Sequence, residues 1–446
     1  MTRAAPAGLA ERQASAANRI GILAGGGRLP LTIAESVIGR GGSVHIVAIE
    51  GEADPAIARF PHTWVNWGQV GRMVDTLRSQ RTDALVIAGG VRRPDLWKLR
   101  PDVGFFLSLP QILQMLAGGD DSVLSRVVRF FEAKGIVVRG AHEVAPDLLV
   151  RSGPAGAPAL DGQARADAEL GFAVRAALGT LDAGQAVVVA GGRVLAIEGA
   201  EGTDAMLGRV AVLRGDTATP SGVLAKGPKP GQELRVDMPV IGPRTVSAVA
   251  DAGLAGVAIE AGAVLLLDRA AAIAAADASG IAIEGLPKIS VTHAQAPTVP
   301  AEAADPTSVR VAGGLRPSPR DAASIEKGLA AVARLAPFQT GRAVVVARAY
   351  ILAIAAAETT LAMLERTRAL RQWGVGAKRR VGVLVCRASP AEWDAGGVEA
   401  LLDRAASAGL AGVAVAGPPA ALTVFDGAGG VADRHGLFLV TRGEHA

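Results

Sequence analysis

Residues 184–207 recur as residues 341–364 without a gap. Gly184-Gln-Ala-Val-Val-Val-Ala through Met206-Leu207 aligns with Gly341-Arg-Ala-Val-Val-Val-Ala through Met363-Leu364, with 15 identities in 24 positions. A second block, Ala250-Asp-Ala-Gly-Leu-Ala-Gly-Val-Ala258, returns as Ala406-Ser-Ala-Gly-Leu-Ala-Gly-Val-Ala414, with 8 of 9 positions identical. The offsets are 157 (341 − 184) and 156 (406 − 250). An alanine-rich chain matches itself by chance, but two collinear blocks at nearly one offset do not arise that way. Self-similarity at a fixed spacing means one structural unit built more than once. Residues 321–443 therefore read as a second copy of a middle domain at 166–287.

Ahead of the repeat lies a different pattern. Arg19–Ala24 is an apolar run, Gly25-Gly26-Gly27 a turn, and Leu31–Arg40 has helical spacing. Gly41-Gly42 then leads into a second apolar run, Val44–Ile49. Strand, glycine turn, helix, strand is one βαβ unit. Asp83–Ala88 with Gly89-Gly90 reads as a third strand and turn, and Gly135–Arg139 as a fourth. The expected fold is α/β, with a Rossmann-like βαβ domain at 19–150, a mixed α/β domain at 166–287 and its repeat at 321–443. Residues 1–18 read as a disordered lead-in, 151–165 as a linker and 288–320 as a flexible linker.

Composition narrows the function. Among 446 residues there is one cysteine, Cys386, which excludes an intrachain disulfide or a multi-cysteine metal site. The net charge of +4 is too small and dispersed to indicate nucleic acid. A mean hydropathy of +0.32 raises the question of a membrane span. The longest uncharged run, Ala405–Phe425, is broken by Gly417-Pro418-Pro419, so no stable membrane anchor is expected.

The chemistry concentrates in one stretch, Lys226-Gly-Pro-Lys229-Pro-Gly-Gln232-Glu-Leu-Arg-Val-Asp237-Met-Pro239. Glycine and proline fix an irregular backbone. Lys226 and Lys229 suit phosphate oxygens, with Gln232 as a further donor. Asp237 beside that positive field has the chemistry to coordinate a divalent cation or take a proton from water. In the βαβ domain the Gly25-Gly26-Gly27-Arg28 turn, the Gly89-Gly90 turn and Arg92 lie where open α/β sheets bind ligands. Pro30 departs from the dinucleotide fingerprint, so a phosphate or uridine-like group is expected rather than NAD. Glu198, Glu201, Thr203 and Asp204 lie at the opening of a helix; they read either as magnesium or sugar ligands, or as capping and first-turn residues.

Residues 19 to about 287 resemble the LpxI-type UDP-2,3-diacylglucosamine pyrophosphatases of lipid A synthesis. The matching motifs are Ile22-Leu-Ala-Gly-Gly-Gly-Arg-Leu-Pro30, Gly119-Asp-Asp121, Gly140-Ala-His-Glu143 with Pro146-Asp-Leu148, Glu201-Gly-Thr-Asp-Ala-Met206, and Lys226–Gln232 with Val236-Asp237-Met-Pro239. The resemblance implies magnesium-dependent hydrolysis of UDP-2,3-diacylglucosamine to UMP and 2,3-diacylglucosamine 1-phosphate. It also implies substrate held between two domains, and Asp237 as the catalytic aspartate. Lys226 joins it as an expected catalytic cation, and Glu201, Asp204 and Asp237 as the expected metal ligands. The expected location is the cytoplasm, with contact at the inner membrane left open by the lipid substrate.

The second copy has lost this chemistry. Gly222–Lys226 corresponds to Gly382–Cys386, and Asp204 to Leu361, while Glu201 and Thr203 persist as Glu358 and Thr360. The copy is expected to pack on the middle domain as a pseudo-dimer partner within the chain. Two other readings compete with the hydrolase: a binding scaffold for nucleotide sugars or lipids, and a nucleotide-dependent oxidoreductase.

Overall fold

β1 (Arg19–Ala24), β2 (Ser43–Ile49) and β4 (Ala84–Ala88) are almost wholly apolar and buried along nearly their whole length. Strands covered on both faces need such uninterrupted apolar runs. With β3 (His62–Val65) they form a parallel sheet in the order β3-β2-β1-β4. The computed structural model describes residues 19–91, 99–116, 120–215, 219–288, 309–371, 380–388 and 395–443. The lead-in 1–18 and Arg92 lie outside them.

The Gly135–Arg139 segment does not become a fourth strand of this sheet. It contributes a single bridge, Val138 to Leu85, and the remaining place is taken by β3 at the opposite edge. Helix Leu29–Gly39 follows β1, with Pro30 in its first turn, where a missing N–H costs no hydrogen bond.

Contacts divide the chain into two compact units, and the division is not contiguous. The first comprises 1–151, 231–243 and 261–272. The two late segments pair with each other, β9 (Val240–Ile241) running parallel to β11 (Leu265–Leu266). Met238, Val240 and Leu265 enter the same core as Ala141, Val144 and Leu148. The domain read from sequence as 166–287 therefore gives two segments to the first unit.

The second unit holds both copies of the repeat. In the first copy, β5 (Gly153–Pro154), β6 (Ala186–Ala190), β7 (Arg193–Ile197), β8 (Val223–Lys226), β10 (Gly256–Glu260) and β12 (Ala282–Leu286) form a sheet ordered β5-β12-β10-β8-β6-β7. In the second, β13 (Val309–Ala312), β14 (Ala343–Ala347), β15 (Tyr350–Ala355), β16 (Val383–Arg387), β17 (Gly412–Gly417) and β18 (Phe438–Gly443) are ordered β13-β18-β17-β16-β14-β15. The two orders correspond strand for strand. Irregularities correspond too. The hairpin register shifts at Val188/Val189 and at Val345/Val346, and Asp182 and Gln339 both take left-handed backbone.

Two segments expected as linkers contain structure. β5 lies within 151–165, and helix Gly162–Leu178 already begins there, capped by Asp161. β13 lies within 288–320, followed by helix Pro319–Leu335 with a Ser318–Asp321 capping box. Both strands are short edge strands close to glycine or proline, which is why composition alone hid them.

Within the second unit the copies share a core. Val174, Leu178, Val187, Val194 and Ile197 of the first lie in one apolar cluster with Val332, Leu335, Val344, Ile351 and Ile354 of the second. The backbone contacts are reciprocal. Ala200 N–H donates to the Leu352 carbonyl at 3.0 Å, and Ala357 N–H donates to the Leu195 carbonyl at 3.2 Å. Each partner is its counterpart shifted by 157 (352 − 195 and 357 − 200). That is the pattern of an isologous contact, residue i on j and j on i. Four charges complete it. Arg209 lies 2.7 Å from Glu201 and 3.5 Å from Glu358; Arg366 lies 2.6 Å from Glu358 and 3.3 Å from Glu201.

Candidate active site

Lys226 ends β8, and its side chain is folded inward, leaving the residue 6 % exposed. A buried ammonium needs partners, because desolvation otherwise favours the neutral amine. Its Nζ donates to Thr203 Oγ1 at 2.8 Å, and Thr203 in turn donates to Glu198 Oε2 at 3.1 Å. Thr203 is the first residue of helix Thr203–Arg214, so this chain of bonds ends at a helix N-terminus, a favourable place for an anion. Burial pushes the Glu198 carboxyl above its ordinary range, against the opposing pull of Lys226 and the Thr203 hydroxyl.

Arg175, on helix Gly162–Leu178, fixes the loop that follows β8. It donates to the Gln185 carbonyl at 3.0 Å and to the Pro228 carbonyl at 2.8 Å. Burial lowers its pKa to about 10, with Glu260 and Glu198 opposing the shift. A Cβ on Gly227 would sit 2.8 Å from Arg175 Nη2 and 3.0 Å from Glu260 Cβ, so a side chain here would press on the guanidinium that holds the loop. Lys229 is held by Asp182 at 2.7 Å.

The second copy differs at these charges. Strand register sets Lys226 opposite Ala186 and Cys386 opposite Ala343, confirming that lysine and cysteine occupy one position. At the positions of Arg175, Asp182, Glu198 and Glu260 stand Val332, Gln339, Ala355 and Ala416. The same strand order forms there without the charges.

Asp237, Gln232 and the glycine turns belong to the first unit, whereas Lys226, Lys229, Thr203, Glu201 and Asp204 belong to the second. Asp237 accepts from Gln232 Nε2 at 2.6 Å, and its N–H donates to the Glu233 carbonyl at 3.0 Å. Arg235 binds Glu233 and Glu132 at 2.8 Å each, tying this segment to helix Asp120–Ala133. The two glycine turns interlock. Gly26 N–H donates to the Gly90 carbonyl at 2.7 Å, Gly90 N–H to the Gly26 carbonyl at 3.0 Å, and a Cβ on Gly25 would lie 2.6 Å from the Gly90 oxygen. Arg28, expected to meet substrate, pairs with Asp268 at 3.0 Å, and this partner raises its pKa. Gly27, Gly89 and Gly90 complete the turns as the sequence placed them.

Of the three expected magnesium ligands, two have other partners. Magnesium is met by one or two carboxylates together with substrate phosphate oxygens and water. Glu201 does not suit that role: its carboxylate is 6 % exposed and faces two guanidinium groups. Asp204 pairs at the surface with Arg244 at 2.9 Å. Among the described residues no group of three or more His, Cys, Asp or Glu is arranged to hold a metal ion. Asp237 has the donor chemistry for a single-carboxylate contact.

Sequence reasoning missed Arg175 and Glu260 as site residues, and read Glu198 only as one of the acids near the helix start. The signal was present: each is charged in the first copy and apolar in the second.

Comparison with known proteins accounts for nearly the whole chain. Residues 19–148 match the family model described as LpxI N-terminal domain. Residues 151–284 and again 309–440 match the model described as LpxI C-terminal domain. A protein of Caulobacter vibrioides named UDP-2,3-diacylglucosamine pyrophosphatase LpxI is 41 % identical over 272 residues, covering 60 % of this chain and 97 % of the relative.

Proposed function

This chain belongs to the LpxI family, and from that premise we propose that it hydrolyses the pyrophosphate of UDP-2,3-diacylglucosamine, releasing UMP and 2,3-diacylglucosamine 1-phosphate for lipid A synthesis. The observation that carries the reading is the selective loss of charge between two copies of one fold. Lys226, Glu198, Arg175 and Glu260 stand in the first copy, and Cys386, Ala355, Val332 and Ala416 at the same positions in the second.

Cleaving a phosphoric anhydride builds negative charge on phosphoryl and leaving oxygens, and preorganised cations stabilise it most where water is excluded. Lys226, buried and aimed by Thr203, supplies such a cation. Lys229 adds a second, held by Asp182. Asp237, oriented by Gln232, is the base that receives the proton of the attacking water. The Gly25-Gly26-Gly27-Arg28 and Gly89-Gly90 turns are assigned to the nucleotide end; the N–H groups of Gly25, Gly26 and Gly90 already donate to backbone carbonyls and Arg28 is paired with Asp268, so these residues shape the turns against which the nucleotide lies. A magnesium ion held by Asp237 and the substrate phosphates would supply further charge neutralisation.

The proposal extends to the second copy, which serves as an intrachain pseudo-dimer partner of the first. The reciprocal Ala200–Leu352 and Ala357–Leu195 bonds support this. The proposed setting is the cytoplasm, with the lipid substrate met at the inner-membrane surface. Among the described residues no helix is long and apolar enough to cross a membrane.

The test is release of UMP from UDP-2,3-diacylglucosamine by wild type and Asp237→Ala, each with magnesium and with chelator. Metal-dependent release by wild type alone is the expected result. Binding without release by folded wild type would overturn the hydrolase reading in favour of a scaffold.

A further inference from the structure

We propose that the second copy positions the catalytic lysine of the first, with Arg366 and Glu358 acting through the Glu198–Gly202 loop. The inference rests on the reading of Lys226 as a substrate-binding cation.

That loop joins β7 to helix Thr203–Arg214, with Glu198 at one end and Thr203 just beyond the other. Lys226 donates to Thr203, which donates to Glu198, so both ends of the loop belong to the chain of bonds that holds the lysine. Between them the loop is fastened from the second copy at Ala200 and Glu201, with Gly199 closely packed against the same copy. Ala200 N–H donates to the Leu352 carbonyl at 3.0 Å. Gly199 lies so near the same carbonyl that a Cβ would come within 2.5 Å of it. Glu201 faces Arg366 Nη1 at 3.3 Å, and Arg366 is itself aimed by Glu358, which accepts from its Nη2 at 2.6 Å and its Nε at 3.0 Å. A five-residue loop held at its centre has little freedom at its ends, so what fixes Ala200 and Glu201 also fixes Glu198 and Thr203.

The reciprocal loop of the second copy makes the matching hydrogen bond and ion pair, Ala357 to Leu195 and Glu358 to Arg209, but carries Ala355 in place of Glu198, and Cys386 stands at the position of the lysine. The fastening is thus symmetric, and the chemistry it serves lies on one side only. Arg366 and Glu358 are positioning residues, since neither is among the groups assigned to substrate.

The experiment measures kcat and KM for UMP release by the full chain. Arg366→Met combined with Glu358→Gln removes the second copy's pair of charges together and leaves Arg209 with Glu201, so no unbalanced charge is buried. Arg366→Lys tests rescue by a conservative change. Leu401→Ala, in the second copy's own core, controls for general loosening of that copy. The expected result is a kcat about tenfold lower in the double variant with little change in KM, the scale on which displaced groups act, partly restored in Arg366→Lys and absent in Leu401→Ala. Wild-type kcat in the double variant overturns the proposal, as does an equal loss in Leu401→Ala. If wild type itself releases no UMP, the assigned reaction fails and the fastening is judged by hydrogen exchange. Faster exchange at Ala200–Thr203 in the double variant alone upholds it, and unchanged exchange overturns it.

Discussion

Lys226 Nζ donates to Thr203 Oγ1 at 2.8 Å, buried at the end of β8, while the equivalent position in the second copy is Cys386. A cysteine is therefore compatible with this strand where its neighbour is Ala355 in place of Glu198. Lys226→Cys combined with Glu198→Ala should keep the melting temperature within a few degrees of wild type. It should lower kcat by about 10²- to 10³-fold, the usual cost of removing a preorganised group that meets developing charge. Thermal melts and UMP release on the same preparation check both halves.

Asp237→Ala removes the proposed base, and a loss of about 10²- to 10⁴-fold in kcat is expected. Gln232→Ala leaves the carboxylate but not its 2.6 Å partner, so a smaller loss in kcat is expected. Steady-state kinetics of the two variants separate them.

Glu198 makes stability depend on pH. In the unfolded chain its carboxyl titrates near the ordinary 4.5, while burial raises it in the fold despite Lys226 and the Thr203 bond. As pH rises from 4.5, the unfolded chain releases this proton first and the folded chain retains it. The folded state then binds more protons, so this group's contribution to stability falls with rising pH until the folded carboxyl ionises. Glu198→Gln is neutral throughout and should remove that decline. The check is the difference in melting temperature between the two proteins from acid to neutral pH.

Glu201 faces guanidinium groups, so Glu201→Gln should leave the half-activating magnesium concentration unchanged while lowering kcat. A magnesium titration of the two proteins tests this. A shifted half-activating concentration would return Glu201 to the metal.

Gly25→Ala would bring a Cβ to 2.6 Å from the Gly90 carbonyl, which is backbone and unable to swing aside. Forcing the two turns apart should cost about 1–3 kcal/mol, measured by denaturant unfolding.

The repeat was legible in the sequence because its strands are fully buried and tolerate little change, so Ala186–Ala190 and Ala343–Ala347 are identical. The βαβ unit was legible from its apolar runs and glycine turns. β3 was not, because His-Thr-Trp-Val is short and half polar. The passage of residues 231–243 and 261–272 into the first unit was hidden as well, since periodicity describes a segment and not the core it joins. The Lys226–Asp237 stretch was recognised as chemical, but its division between two units was not. Glu201 was given to a metal because an acid at a helix start looks the same whichever group it faces. The group it meets, Arg366, lies far along the chain.

The shared core of the two copies carries a further consequence. Two separate subunits meet at a rate and to an extent set by their concentration, whereas tethered halves meet at a fixed effective concentration. The core containing Val194 and Ile351 therefore persists at any dilution of the protein. The fusion also frees inheritance from symmetry. In a homodimer every substitution appears on both faces at once; here the first copy carries Lys226 and the second Cys386 at the same strand position.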